Sequence, residues 1–557
     1  MATTSVQPGA GVPAIGGEDK GLKQGAIGLL STTVIAISST APAYSLAAAL
    51  GLIVVVAGMG FHAPAVMLAA FVPMLFVAQG YSRLNKEMPD CGTTFTWGAK
   101  TFGPMTGWMG GWAIFAADVI IMSNLAQIAG QYFFDLIGAY GLAASTFWQT
   151  FAGVLWIALM SYICYIGIEI SARIQYSLLV VEIIMLAVLS VTALVKVYNG
   201  TAPKAAPSDV RAHTFGAGPH HVALSWFNPF GVSTTALGAG LLIAVFVYWG
   251  WDTAVSVNEE TEPKDKTPGR AAIIATFILL GTYLLVSTSA QAFAGLGVAP
   301  NGIGLGNPNN SGDVLSVLGS SVFGGHGFGH VLAKLLVLMV LTSSMASTLT
   351  TILPTARTTL SMAVYKAIPD RFARIHARFL TPTWSTVGMA IISTILYVIL
   401  TIVSQNVLYD LVGAVGFPIA FYYAMTGYEC VWWYRKRLLD DVKTFFGAGV
   451  LPLLGALILT ELFVQAFWHY LKPVNSYTTF LGVGGVWWTG VGSLILGAIL
   501  MFVWRAMRPA YFRGEVLNKD TPVLVPDLAG VDLRRALGEE GITPAADTGG
   551  PPLSKED

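Results

Sequence analysis

Charge is the scarcest commodity in this chain: Asp, Glu, Lys and Arg make up 11% of its 557 residues, while 54% are hydrophobic and the mean hydropathy is +0.66. A soluble globular domain carries roughly 25% charged residues, so a water-facing surface of ordinary size is excluded for most of the chain. Cysteine is nearly as rare. Cys91, Cys164 and Cys430 lie far apart and without metal-ligand spacing, which excludes a disulfide framework and a thiolate zinc site. No apolar run precedes Glu18-Asp19-Lys20, so the stretch from Met1 to Gln24 is not expected to be a cleavable signal peptide. No nucleophile paired with a base and no metal cluster stands outside the apolar stretches, so neither an enzyme nor a resident cofactor or metal is expected. Basic patches interleaved with aromatics are missing too, which excludes nucleic acid as a partner. The glycine-rich strings near Gly302 and from Gly324 to Gly329 lack the preceding strand and following helix of a phosphate cradle. Asn199-Gly200-Thr201 and Asn309-Asn310-Ser311 have sequon spacing, a triplet that arises easily by chance.

What the sequence does contain is apolar length. Stretches of 18 or more residues recur from Gly25 to Trp504, each about long enough for a hydrocarbon core of roughly 30 Å. The expected spans are 25–57, 62–82, 103–133, 146–167, 172–197, 236–258, 269–293, 331–363, 383–403, 408–433, 447–468 and 485–506. A soluble protein has no means of burying a dozen such helices, so the lipid bilayer is the expected solvent. With the amino terminus placed in the cytoplasm, Lys196, Lys204, Arg211, Lys334 and Lys472 fall outside and the other 25 of the 30 basic residues fall inside. That bias predicts a multi-pass plasma-membrane protein with both termini cytoplasmic. Residues 1–24 and 507–557 are polar and rich in Gly and Pro, and are expected to be largely disordered.

Two spans carry interruptions. The first contains Ile37-Ser38-Ser39-Thr40-Ala41-Pro42, where Pro42 removes a backbone donor inside an apolar helix. Irregular backbone at membrane depth survives only beside protein or a water-filled cavity. A simple proline kink satisfied by neighbouring helices is the alternative. The sixth span contains Phe246-Val247-Tyr248-Trp249-Gly250-Trp251-Asp252, with a glycine beside an acid in mid-helix. Broken helices at matching places of two five-helix halves point to an inverted-repeat transporter. The halves would be residues 25–198 and 236–433, separated by an extracellular loop at 199–235 and followed by two further helices over 447–506.

At these residues the chain resembles the amino acid, polyamine and organocation transporter superfamily, from about Gly25 to Arg508. The most specific piece is Pro89-Asp90-Cys91-Gly92, leading through Phe95 and Trp97 to Phe102-Gly103-Pro104, Gly107, Gly111 and Trp112. Two others are Gly250-Trp251-Asp252 with Glu259-Glu260 and Pro263, and Arg357 with Lys366-Ala367-Ile368-Pro369 and Thr381-Pro382. The resemblance implies an all-α membrane protein of the leucine-transporter fold, with about twelve helices in a 5+5 inverted repeat plus two. It implies a secondary active transporter of amino acids, with a substrate site at Ser38, Ser39, Thr40 and Ala41 facing Val247, Tyr248, Trp249 and Gly250, and with Phe246 as an aromatic gate. Ser38-Ser39-Thr40 departs from the Gly-Ser-Gly type segment that receives a substrate carboxylate in many members, so an amine or polyamine substrate stays open. A membrane sensor that binds the same ligand without moving it, and a channel, are readings of other classes.

The ionisable residues at membrane depth complete the candidates. Glu182 lies eight residues beyond Ile174, about 12 Å along the axis, at a position resembling one where proton-coupled relatives carry a lysine. It is the candidate for binding a coupling proton, with a permanently neutral structural role or sodium binding as alternatives. Asp118 is a candidate for a substrate ammonium or for pairing with another helix, with Asn124 on the same span. Asp252 is expected chiefly to hold the sixth helix broken. Ser343, Ser347 and Thr351 recur every four residues, as packing hydroxyls or as ion ligands. Gly103, Gly107 and Gly111 repeat likewise and are expected to permit close helix contact.

Overall fold

The computed structural model describes residues 20–203, 220–298, 302–307, 314–324, 326–404 and 406–521. Among these, twelve helical stretches are long and apolar enough to cross a membrane. In chain order, spans one to six are Leu29–Val54, Ala63–Glu87, Pro104–Leu136, Thr146–Ile166, Ile168–Tyr198 and Thr234–Ser256. Spans seven to twelve are Thr267–Ala294, Gly327–Val364, Thr383–Val403, Asp410–Tyr434, Val442–Tyr470 and Gly485–Met507. The second sequon, at 309–311, lies outside the described residues.

Burial separates centre from rim. In its most apolar 18-residue stretch span one is 89% buried and span three 83%, whereas that of span nine is only 28% buried, and span nine exposes Ile391, Ile395 and Ile402. Apolarity alone cannot make that choice, because lipid tails accept Leu and Ile as readily as the protein interior does. Small and hydroxylic residues make it, by letting backbones approach and by bonding across helices. Spans one and eight are rich in them and sit at the centre.

Span one is two helices. Leu29–Thr40 ends where Ala41 turns left-handed at φ +43, and Pro42–Val54 then begins. Pro42 therefore occupies the first position of a new helix, where its missing N–H would have had no partner in any case. Span six likewise stops at Tyr248, passes through extended Trp249 and through Gly250 at φ +120, and resumes as a single turn over Thr253–Ser256.

A short helix, Thr94–Thr101, follows span two and packs against the start of span three. A Cβ at Gly107 would stand 2.5 Å from the Phe95 carbonyl oxygen, and one at Gly111 2.6 Å from Met362 Sδ. Those two glycines permit the close approach expected of them. Gly103 does not, because a Cβ there would meet nothing within 4 Å; its φ of +112 is what calls for glycine at the turn into span three.

Both ends of the described chain fold onto one face. Residues 20–24 tuck under the bundle with Lys20 and Leu22 buried. Residues 1–19 and 522–557, on which most of the expected disorder falls, lie outside the described residues. The first part of the tail packs: Tyr511 and Leu517 are fully buried in a cluster with Phe95 and Tyr365. Lys100 Nζ donates to the carbonyls of Asn518, at 3.2 Å, and Thr521. Tyr511, Phe512, Val516 and Leu517 give this stretch enough apolar surface to dock.

Candidate functional site

The two interruptions meet. A Cβ built on Gly250 would lie 2.7 Å from the Ser39 carbonyl carbon, so only a bare Cα lets the break in span six lie against the break in span one. Ser39 Oγ also bonds Thr253 Oγ1 at 2.9 Å, tying span one to the resumed turn of span six. Ser38, Thr40, Ala41, Phe246, Val247, Tyr248, Trp249 and Gly250 are all buried around this meeting point, and Ser39 is half-buried. Phe246 packs edge-on to Tyr44, with ring centroids 6.1 Å apart.

The backbone groups freed by the break in span one can be followed to partners. At the end of the first half-helix, Ile37 O accepts from Thr40 Oγ1 (2.6 Å), Ser38 O from Ala41 N (3.2 Å), Ser39 O from Ser347 Oγ (3.2 Å) and Thr40 O from Ser45 Oγ (2.6 Å). At the start of the second half, Ala43 N donates to Glu182 Oε1 at 2.7 Å and Tyr44 N to Ser343 Oγ at 3.2 Å. Ser343 in turn donates to the same Glu182 oxygen at 2.8 Å. Glu182, fully buried in span five, thus sits on the positive end of the half-helix dipole, where a carboxylate is favoured. Its other oxygen, Oε2, and the Ser38 hydroxyl are buried without a protein partner among the described residues.

The break in span six is held from span ten. Asp252 accepts from Tyr423 (2.7 Å) and Tyr422 (3.0 Å), whose hydroxyls also receive Gly250 N (3.5 Å) and Trp249 Nε1 (2.5 Å). Tyr283 of span seven donates to Val247 O at 2.6 Å, and Tyr248 to Met67 O at 3.1 Å. Asp118 accepts from Thr355 of span eight at 2.6 Å, and Asn124 accepts from the Tyr44 hydroxyl. Thr351 bonds its own helix, at Ser347 O, whereas Ser343 and Ser347 reach across to spans five and one.

Below the breaks, on the face that carries both ends of the described chain, the polar groups close into a seal. The buried ammonium of Lys20 lies 2.8 Å from Asp90 Oδ2, 2.6 Å from Glu259 Oε1 and 3.7 Å from Cys91 Sγ. Asp90, Cys91 and Glu259 are close enough together to hold a metal, but the ammonium already lies among them. Asp90 Oδ1 further accepts from Gly92 N, Thr96 and Ser361, so the Pro-Asp-Cys-Gly signature is a node joining span two to span eight. Arg357 grips Glu260 through two bonds, 2.8 and 2.9 Å. Burial alone would lower the Lys20 pKa, but Asp90, Cys91 and Glu259 together hold it well above its ordinary value; the Asp90 carboxyl, which burial alone would raise, is held below its ordinary range by Lys20.

Sequence reasoning singled out Glu182, Ser343, Ser347, Asp118 and Asp252 but missed Lys20, Tyr44, Tyr283, Tyr422 and Tyr423. Their partners lie far along the chain: 239 positions separate Lys20 from Glu259. Glu429 of span ten was also missed. It is fully buried, its carboxyl faces the bare Cα of Gly98, and neither oxygen has a partner among the described residues. A buried polar group left unsatisfied costs about 1–3 kcal/mol, so Glu429→Leu is expected to raise the unfolding temperature in detergent. A lower temperature would show that the carboxyl is bonded.

A bundle of membrane-crossing helices, two of them broken face to face around buried polar backbone, defines a membrane transporter rather than an enzyme. The chain belongs to the amino acid permease family, whose model matches residues 27–488. It is similar to an uncharacterized transporter of Mycobacterium tuberculosis, 24% identical over 82% of this chain and 89% of that one. It is similar also to the low-affinity putrescine importer PlaP of Escherichia coli, at 20% over 79% and 86%, and to a methylthioribose transporter of Bacillus subtilis, at 24% over 64% and 69%. Among solved structures, MhsT in complex with L-phenylalanine superimposes with a TM-score of 0.56 at 14% identity, covering 80% of this chain and 99% of that one. The fold is the leucine-transporter fold.

Proposed function

We propose that the chain is a proton-coupled secondary active transporter of a small solute bearing an amino group, working by alternating access. The observation that carries this reading is the contact of Gly250 with Ser39, which brings two broken helices together at one buried site. Ser38, Ser39, Thr40 and Ala41 on one side and Phe246 to Gly250 on the other line the substrate site. The face holding Lys20 and the docked tail is cytoplasmic and the membrane is the plasma membrane, in keeping with the 25 basic residues assigned to that side.

Glu182 carries the coupling proton. A charged carboxylate at that depth costs roughly 2.5–3.5 kcal/mol on insertion scales. One of its oxygens is engaged by Ala43 and Ser343, and the second is the place for a proton. Because Glu182 touches the second half of span one, the charge it gains or loses with the proton acts directly on the half-helix that lines the substrate site.

The test is uptake by purified protein in liposomes under an imposed pH gradient or an imposed sodium gradient, beside counterflow of labelled substrate. The wild type is expected to respond to the pH gradient. Glu182→Gln is expected to lose proton-driven accumulation by about tenfold or more while keeping counterflow. Proton-driven uptake that survives in Glu182→Gln would refute the coupling role. A sensor would give no counterflow at all.

A further inference from the structure

The amides that open the second half of span one have no room for a substrate carboxylate. Pro42 has no N–H, Ala43 N is held by Glu182, Tyr44 N by Ser343, and Ser45 N by the Ala41 carbonyl at 2.8 Å. Ala41 N is turned back onto Ser38 O. The first-turn donors that a half-helix would offer to an anionic ligand are therefore all bonded within the protein, and a carboxylate of the chain itself fills the anionic seat. Glu182 Oε1 can accept from Ala43 whether or not the other oxygen carries a proton, so the seat stays filled in both states of the coupling group.

The charge around the breaks has one sign. Asp118, Glu182 and Asp252 lie in the surrounding spans, and the half-helix ending at Thr40 turns the negative end of its dipole to the site. Among the described residues, the Lys and Arg of spans one, three, five, six, eight and ten are Arg173, Lys196, Lys334 and Arg357. Arg357 is committed to Glu260, Lys334 donates to the carbonyls of Asp135 and Leu136, Arg173 is exposed in the second turn of span five and Lys196 stands in its last turn. Among the described residues of these spans, no cation remains at the breaks to pair with a carboxylate.

We infer that the substrate is a small organic amine cation without a carboxylate, and that Glu182 occupies the place a substrate carboxylate would otherwise take. This rests on the transporter reading above and narrows it. An ammonium finds carbonyl oxygens and acidic side chains at the site. A zwitterion would have to bury its carboxylate beside acids with no counter-charge, the amides of the half-helix already bonded and the Ser38 hydroxyl left as an uncommitted donor.

Matched pairs that differ only in the carboxylate test the inference: putrescine with ornithine, agmatine with arginine, cadaverine with lysine, and tyramine with tyrosine. Each is offered to the full-length protein in liposomes for counterflow, and to purified protein in detergent for thermal stabilisation. At least one amine is expected to act at a concentration about tenfold or more below that of its parent amino acid in both assays. Glu182→Ala, which releases the Ala43 amide, is expected to shift preference toward the parent amino acid. Amino acids that match or exceed every amine in stabilising the wild type would overturn the inference, and so would a panel in which no amine stabilises it. Amines that stabilise without counterflow would leave the substrate class standing and refute transport instead.

Discussion

Gly250→Ala is expected to reduce transport by about a hundredfold while leaving a folded protein in the membrane. The new Cβ would meet the Ser39 carbonyl carbon at 2.7 Å, its oxygen at 2.9 Å and its Oγ at 2.8 Å. Two of those three atoms are backbone and cannot swing aside. Gly250 also stands at φ +120, which an L-residue adopts only with strain of order 1–3 kcal/mol. The two breaks must therefore separate, and a shift of about 1 Å at a site that depends on orientation costs on the order of 10²-fold. Gly281→Ala is the control: nothing lies within 4 Å of a Cβ there, so uptake and stability are expected to stay near wild type. Equal uptake by Gly250→Ala and wild type would remove the contact on which the site is built.

Lys20→Met has the second largest expected effect, on the seal rather than the site. It leaves the buried carboxylates Asp90 and Glu259 facing each other without the ammonium between them. Removing one partner of a buried ion pair costs about 3–5 kcal/mol, so the unfolding temperature should drop. Cys91, which the ammonium covers at 3.7 Å, should become reactive to a membrane-impermeant thiol reagent applied to the face carrying both chain ends. Unchanged labelling of Cys91 would mean that Lys20 does not hold the seal. The pH dependence has a definite sign. Lys20 is raised above 10.5, so its contribution is complete below pH 10.5 and fades as pH climbs through the raised value. Asp90 is lowered from 3.8, so its contribution is present above pH 3.8 and is lost as pH falls through the lowered value. Across neutral pH the Lys20–Asp90 pair is constant.

The fold was legible because apolar length is a property of contiguous residues. All twelve spans stand where hydropathy placed them, and both breaks were announced by local chemistry, Pro42 in one and Gly250 beside an acid in the other. Partners were not legible. Asp118 offered two futures in the sequence, and Thr355, 237 positions away, bonds it in the structure. Ser343 and Thr351 share a helix face, yet one reaches Glu182 and the other its own backbone, a difference set by what span five brings opposite. The tyrosine pair on span ten was invisible because Tyr is common in membrane helices, and only Asp252 above it gives Tyr422 and Tyr423 their role. Lys20 was hidden for another reason: a polar amino-terminal stretch looks unstructured until a buried acid pair is found to receive it.

The lysine clasp also has a consequence for biogenesis. Lys20 emerges from the ribosome 239 residues ahead of Glu259, which at 5–20 residues per second is a wait of roughly 10–50 seconds. Asp90 follows Lys20 by only 70 residues, so the clasp can close on its first carboxylate early and is completed by Glu259 only after the sixth helix has been made.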